Sequence, residues 1–120
     1  MARVGYFEGT DPLLLAKLAV EGVETLPVSN GWDNHGKYVN HLGKGEVDVV
    51  MGYLHKVIPA EQERMSPADM LFACKNFDIP VVLVVPAALR EKAKKVLGDV
   101  GANVYVAAPD ELEGQIRRHL

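Results

Sequence analysis

Short apolar runs recur along this chain, each followed by a stretch of mixed polarity, and the alternation repeats five times. "ARVGYF", "VETLPV", "VDVVMGY", "IPVVLVV" and "NVYVAA" read as strands. The third and fourth are apolar at almost every position, as strands buried on both faces must be. Between them lie segments with helix punctuation. "TDPLLLAKLAVEG" offers Thr10 or Asp11 as a cap, Pro12 in the first turn and Gly22 as a stop. "SPADMLFACKNFD" opens with Ser66 as cap and Asp69 at the third helical position. "AALREKAKKVLGDVG" puts Leu89, Ala93, Val96, Leu97 and Val100 on one stripe. "DELEGQIRRHL" places Leu112, Ile116 and Leu120 inward. The stretch "NGWDNHGKYVNHLGKG" fits no element cleanly. Tyr38, Val39 and Leu42 can face a core from a short helix, but Gly36 weakens that helix and Gly43 ends it.

Strands alternating with helices require right-handed crossovers and a parallel sheet covered on both faces. The predicted fold class is therefore α/β: a three-layer, doubly wound, five-stranded parallel sheet of order 2-1-3-4-5, formed by residues 1–120 as one domain.

Composition narrows the function classes. A net charge of −3, with cations and acids interspersed, leaves no electrostatic footprint for nucleic acid. Runs such as "VVLVV" are far short of the roughly 20 residues a membrane span needs. The chain passes from "MAR" straight into a strand-like segment, and its single cysteine, Cys74, has no internal partner. A cytoplasmic location is expected.

Read end to end, the chain resembles the receiver domain of bacterial response regulators, a flavodoxin-like fold. "RVGYFEGTDPLLLAKL" is similar to the receiver opening, where a strand ends in acids before a helix. "VSNGWDNHGKYVNHLGKGEVDVVM" is similar to the second helix and third strand, and "IPVVLVV" with "VLGDVGANVYVAAPDELEGQIRRHL" to the second half. A receiver holds a metal ion with acids after its first strand and takes phosphate on an aspartate ending its third. It also uses a hydroxyl after strand four and a lysine before the proline after strand five. Here Glu8 supplies one acid, but Gly9 follows it, and Gly52 and Tyr53 end the third strand. Pro86 and Ala87 follow the fourth, and Ala108 precedes Pro109. The resemblance thus implies a degenerate receiver, working through protein–protein interaction without phosphorylation. It further implies a homodimer formed by the last strand and its neighbouring helices, and a cis peptide between Ala108 and Pro109. The helix before the "IPVV" strand also invites comparison with nucleoside deoxyribosyltransferases, but Met70 stands where their catalytic glutamate belongs.

Loops at the carboxyl ends of the strands are the default ligand site of such a sheet. The candidate ligand-binding residues there are Glu8, Thr10, Asp33, His35 and His55. Helix capping accounts for Thr10 without a ligand. Asp33 and His35 could form an acid–base pair or share a metal with His41 or His55, but an exposed polar loop with Trp32 folded on the sheet edge explains the stretch as well. No catalytic residue, metal ligand or cofactor is assigned. The competing expectation is a small-molecule-binding protein or enzyme built on Glu8, Asp33, His35 and His55. Convergence of those four in a concave pocket favours it; dispersal, with an apolar patch elsewhere, favours the interaction domain.

Overall fold

The structure is a computed structural model that describes residues 2–59, 65–98 and 100–120. Six strands form one sheet: β1 (Arg3–Tyr6), β2 (Glu24–Ser29), β3 (Lys37–Tyr38), β4 (Val49–Tyr53), β5 (Val81–Val84) and β6 (Val104–Ala107). Every pairing is parallel, and the order is β3-β2-β1-β4-β5-β6. The five strands expected from the sequence are neighbours in the expected order. The correction is the sixth: β3 extends the sheet beyond β2, where a helix had been one reading of the sequence.

Local backbone explains that correction. Gly31, Asn34 and Gly36 all have positive φ, at 100°, 52° and 98°. A Cβ on Gly36 would lie 2.4 Å from the Pro27 carbonyl oxygen, so only glycine lets the loop press so closely on β2. The chain is thereby turned into two residues of strand and a 3-10 turn, Val39–His41, rather than a helix. Val39 and Leu42 still reach the core, as their apolar character demands.

Among the described residues five α-helices flank the sheet: α1 (Pro12–Val20), α2 (Pro67–Met70), α3 (Phe72–Asn76), α4 (Arg90–Leu97) and α5 (Leu112–Arg118). One core lies under α1 and α5, where Leu14, Leu18, Leu112 and Ile116 meet Val4, Val49, Met51 and Val82. The other lies under α2 to α4, where Met70, Leu71, Cys74 and Leu97 meet Phe7, Val50, Val81 and Leu83. Alternation along each strand feeds the two cores in turn, which is the doubly wound, three-layer arrangement. Among the described residues no helix is long and apolar enough to cross a membrane.

The segment read as one helix over 66–78 is two. Ser66 and Asp69 close a capping box at its start, with Ser66 Oγ accepting from Asp69 N at 3.1 Å and Asp69 Oδ2 accepting from Ser66 N at 2.9 Å. The helix then breaks at Leu71 (φ −105°, ψ 20°). The side chain of Asn40 is the cause. Its Nδ2 donates to Asp69 O at 2.8 Å and its Oδ1 accepts from Ala73 N at 3.0 Å. Those two backbone groups are four residues apart and would otherwise bond to each other; an inserted side chain is a recognised source of such breaks.

The peptide before Pro109 is trans, against expectation, since the described residues contain no cis bond. Pro109 opens a 3-10 turn, Pro109–Glu111, whose Glu111 carboxylate reaches back to accept from Ala108 N at 2.8 Å. That bond makes the sharp turn in the trans form.

Candidate functional site

The crossover after β1 leads to β2 on one side, and the chain resumes at β4 on the other. The carboxyl ends of β1 and β4 therefore flank the point where strand order reverses, the usual crevice of such sheets. Glu8 follows β1 and Lys56 sits in the turn after β4, and the Lys56 ammonium donates to the Glu8 carboxylate across this point. That contact holds the Glu8 carboxyl below its ordinary range, first through the hydrogen bond and then through the Lys56 charge. Asp33 comes from the loop after β2, with its Oδ2 3.9 Å from Lys56 Nζ. Lys56 and Asp33 are each 14% exposed at the side chain, against 50% for Glu8.

The loop carrying Asp33 is tied down from beneath. Asp33 Oδ1 accepts from Ser29 Oγ at 3.0 Å and from His35 N at 3.1 Å. Asn30 Nδ2 donates to Lys56 O at 3.1 Å, and Asn30 Oδ1 accepts from Trp32 N at 3.1 Å. The His35 ring sits edge-on to Tyr6, with centroids 5.4 Å apart, and its Nδ1 lies 3.2 Å from Val28 O. Lys56 thus joins three loops at once.

Of the expected site residues, Glu8 and Asp33 come together, with His35 bonded to Asp33 through its backbone. Thr10 does not join them: it is buried, its hydroxyl donates to Phe7 O at 2.7 Å, and Asp11 caps α1 by accepting from Leu13 N. His55 points elsewhere, exposed and stacked on Tyr53 with centroids 6.2 Å apart. Glu8, Asp33 and His35 thus gather beside Lys56, and His55 stands apart from them.

Gly52 near the end of β4, where the sequence resemblance leads one to look for an aspartate, is explained by packing. A Cβ there would lie 2.7 Å and 2.8 Å from Phe7 Cδ2 and Cβ, and Phe7 is fully buried. No side chain fits. Cys74 is equally closed to chemistry, since burial pushes its thiol up to about 12.

Three hollows open near the strand ends. A groove of about 340 Å³ runs between the turn after β4 and α4, walled by Leu54, Val85, Pro86, Leu89, Ala93 and Val96, with His55 and Lys92 at its rim. Leu89 and Val96, expected in the core, are 45% and 54% exposed: the apolar stripe of α4 is wider than the sheet it covers, and the surplus makes this groove. A neighbouring cleft of about 320 Å³ shares Tyr53 and Val84 with it and is rimmed by Asp11, Asp110 and Glu113. A third hollow, of about 450 Å³, lies against the loop after β2.

Sequence reasoning missed Lys56 and the groove. From the 3-10 turn Leu54–Val57, Lys56 reaches Glu8 while its neighbour His55 stacks on Tyr53. No protein-family model matches the chain, and no curated protein matches it in sequence.

Proposed function

We propose that this protein is a non-catalytic, receiver-like binding domain that engages a protein partner through the apolar groove beside α4, without phosphorylation. The observation that carries this reading is the groove itself, where Leu89 and Val96 stand half exposed beside Pro86 and Ala93. Apolar surface gathered in a concavity is a recognition feature in a way that scattered exposed side chains are not. The strand-end polar groups support the same reading by default. Lys56 offsets one of the two charges of Glu8 and Asp33, and Gly52 packs against Phe7 where an acceptor aspartate would need room.

Charge identifies the kind of partner. α4 carries Arg90, Lys92, Lys94 and Lys95 against the single acid Glu91, on a chain whose net charge is negative. Arg90 pairs with Glu111, whereas Lys92 at the groove rim makes no ion pair among the described residues. The partner surface is therefore apolar at its centre with carboxylates beside it. A second copy of the chain, docking by its β6 edge or this groove, is one form such a partner takes.

A photo-crosslinking residue at Leu89, compared in cells with one at Val20, tests the reading. Val20 is 89% exposed on α1, away from the groove. A discrete adduct from position 89 alone, lost when Lys92→Glu and Val96→Asp are added, is the expected result. Identical adducts from both positions would refute it. Light scattering across protein concentration reads the homodimer directly. A second reading, a small-molecule site or enzyme at the strand ends, is favoured by the meeting of Glu8, Lys56 and Asp33 where strand order reverses; saturable binding that Lys56→Met abolishes would establish it instead.

A further inference from the structure

Two hollows lie side by side at the carboxyl ends of the strands, and their linings are opposite in character. The α4 groove is apolar, with Leu89 and Val96 half exposed and Lys92 on its rim. The cleft beside it, of about 320 Å³, lies between the starts of α1 and α5. Asp11, Asp110 and Glu113 rim that cleft, and its lysine, Lys17, pairs with Glu113 at 2.9 Å. Leu13 stands among these acids 79% exposed, although its neighbour Leu14 is buried. Tyr53 and Val84 belong to both hollows.

We infer that the two hollows form one self-complementary face, and that the occupant of the α4 groove is the acidic cleft of a second copy of this chain. The inference rests on the reading of that groove as a partner site, and it names the partner.

The groove calls for an apolar centre with carboxylates beside it. Leu13 between Asp11 and Asp110 has that composition, and it sits next to the groove on the same molecule. Adjacency sets the symmetry. A two-fold axis lying in the plane of contact, along the boundary at Tyr53, brings the groove of each copy over the cleft of the other. The contact is then made twice and closes at two copies. Complementary patches on opposite sides of a molecule would instead build an open chain.

In this arrangement Leu13 of each copy enters the groove beside Leu89 and Val96 of the other, and Lys92 comes opposite Asp110. Taking those exposed apolar side chains out of water at two places drives association. The charges select the register. Groove set on groove would bring Lys92, Lys94 and Lys95 of one α4 against the same residues of the other, and cleft on cleft would oppose carboxylates. Only groove on cleft pairs unlike charges. The β6 edge, with Tyr105 exposed on it, takes no part.

Sedimentation of the full chain across protein concentration tests the inference. The parent is expected to pass reversibly from monomer to dimer. Lys92→Glu and Asp110→Lys, both at exposed positions, should each weaken the dimer about tenfold, because the two-fold axis makes the altered contact twice. Mixed in equal amounts, the two variants should recover a dimer near parental strength, since unlike charges then meet at both contacts. Leu13→Ala should weaken the dimer, and Tyr105→Ser should leave it unchanged. Circular dichroism confirms that each variant is folded. A parent that stays monomeric overturns the inference, as does a mixture no stronger than its components. Loss of the dimer with Tyr105→Ser but not with Leu13→Ala overturns it too. If the parent is monomeric while a photo-crosslinker at Leu89 captures a different protein, this inference fails and the groove remains a partner site. If neither a dimer nor an adduct forms, both readings fail.

Discussion

Asn40→Ala removes the side chain that is threaded into the helix between α2 and α3. Two neutral hydrogen bonds are lost, at 2.8 Å to Asp69 O and at 3.0 Å from Ala73 N. At a net value of about 1 kcal/mol each, the direct loss is about 2 kcal/mol. A compensation is available in principle, because the freed donor and acceptor are correctly spaced to bond each other and close the helix. Doing so requires Leu71 to leave ψ 20° for the helical region. Leu71 is 1% exposed and its neighbour Met70 is fully buried, so that rotation would swing α3 and drag Cys74 out of its packing. Packed interiors resist such shifts. The break should therefore persist, and the full loss should appear.

Urea unfolding followed by circular dichroism measures it. With a slope of about 2 kcal/mol per molar urea, the midpoint should fall by roughly 1 M. Asn40→Asp sharpens the test: it keeps an acceptor for Ala73 N but sets a second oxygen against the Asp69 carbonyl, so it should be no more stable than the alanine variant. A midpoint shift below about 0.25 M, together with a gain in helical signal, would show that the ladder closes and that Asn40 does not hold the break open.

Gly52→Ala should cost about 1–3 kcal/mol, because the new methyl must displace the buried Phe7 ring; full stability in a urea melt would contradict the close approach. Lys56→Met should raise the Glu8 carboxyl toward its ordinary 4.5, measured by NMR titration. The sign follows from linkage: a carboxyl held low in the fold contributes stability above pH 4.5 that is lost as pH falls through the folded value, so the variant should lose less stability over that acid range. Cys74 should react with a thiol reagent only as fast as the protein unfolds, since its thiol is buried and held protonated up to about 12; rapid labelling of the native protein would contradict this.

The strands and their order were legible because burial on both faces writes itself into the sequence as unbroken apolar runs, and "VDVVM" and "VVLVV" admit no other placement. The capping box at Ser66 was legible for a similar reason: cap chemistry is local, and residues three apart settle it. What stayed hidden depends on partners remote in sequence. Nothing in "SPADMLFACKNFD" announces a break at Leu71, because the break is made by Asn40, 33 residues before Ala73. Nothing in "AALREKAKKVLG" tells Val96 from Leu97, since their difference in burial depends on how much of α4 the sheet can cover.

The same distinction governs the candidate site. Glu8 and Asp33 were picked out as chemistry-bearing types, but type does not reveal pairing, and their meeting on Lys56 joins positions 48 residues apart for Glu8. Gly52 shows the reverse case. Read as a sequence, it is a catalytic position emptied of its aspartate; in the structure it is filled, by Phe7 lying where a side chain would go. An aspartate placed there would therefore not stand free at the strand end, because Phe7 would first have to leave the core. An absence at a strand end is thus a packing solution in its own right. What the packing leaves over is surface: Leu89 and Val96 beside α4, and Trp32 on the glycine-shaped loop after β2, all stand partly exposed.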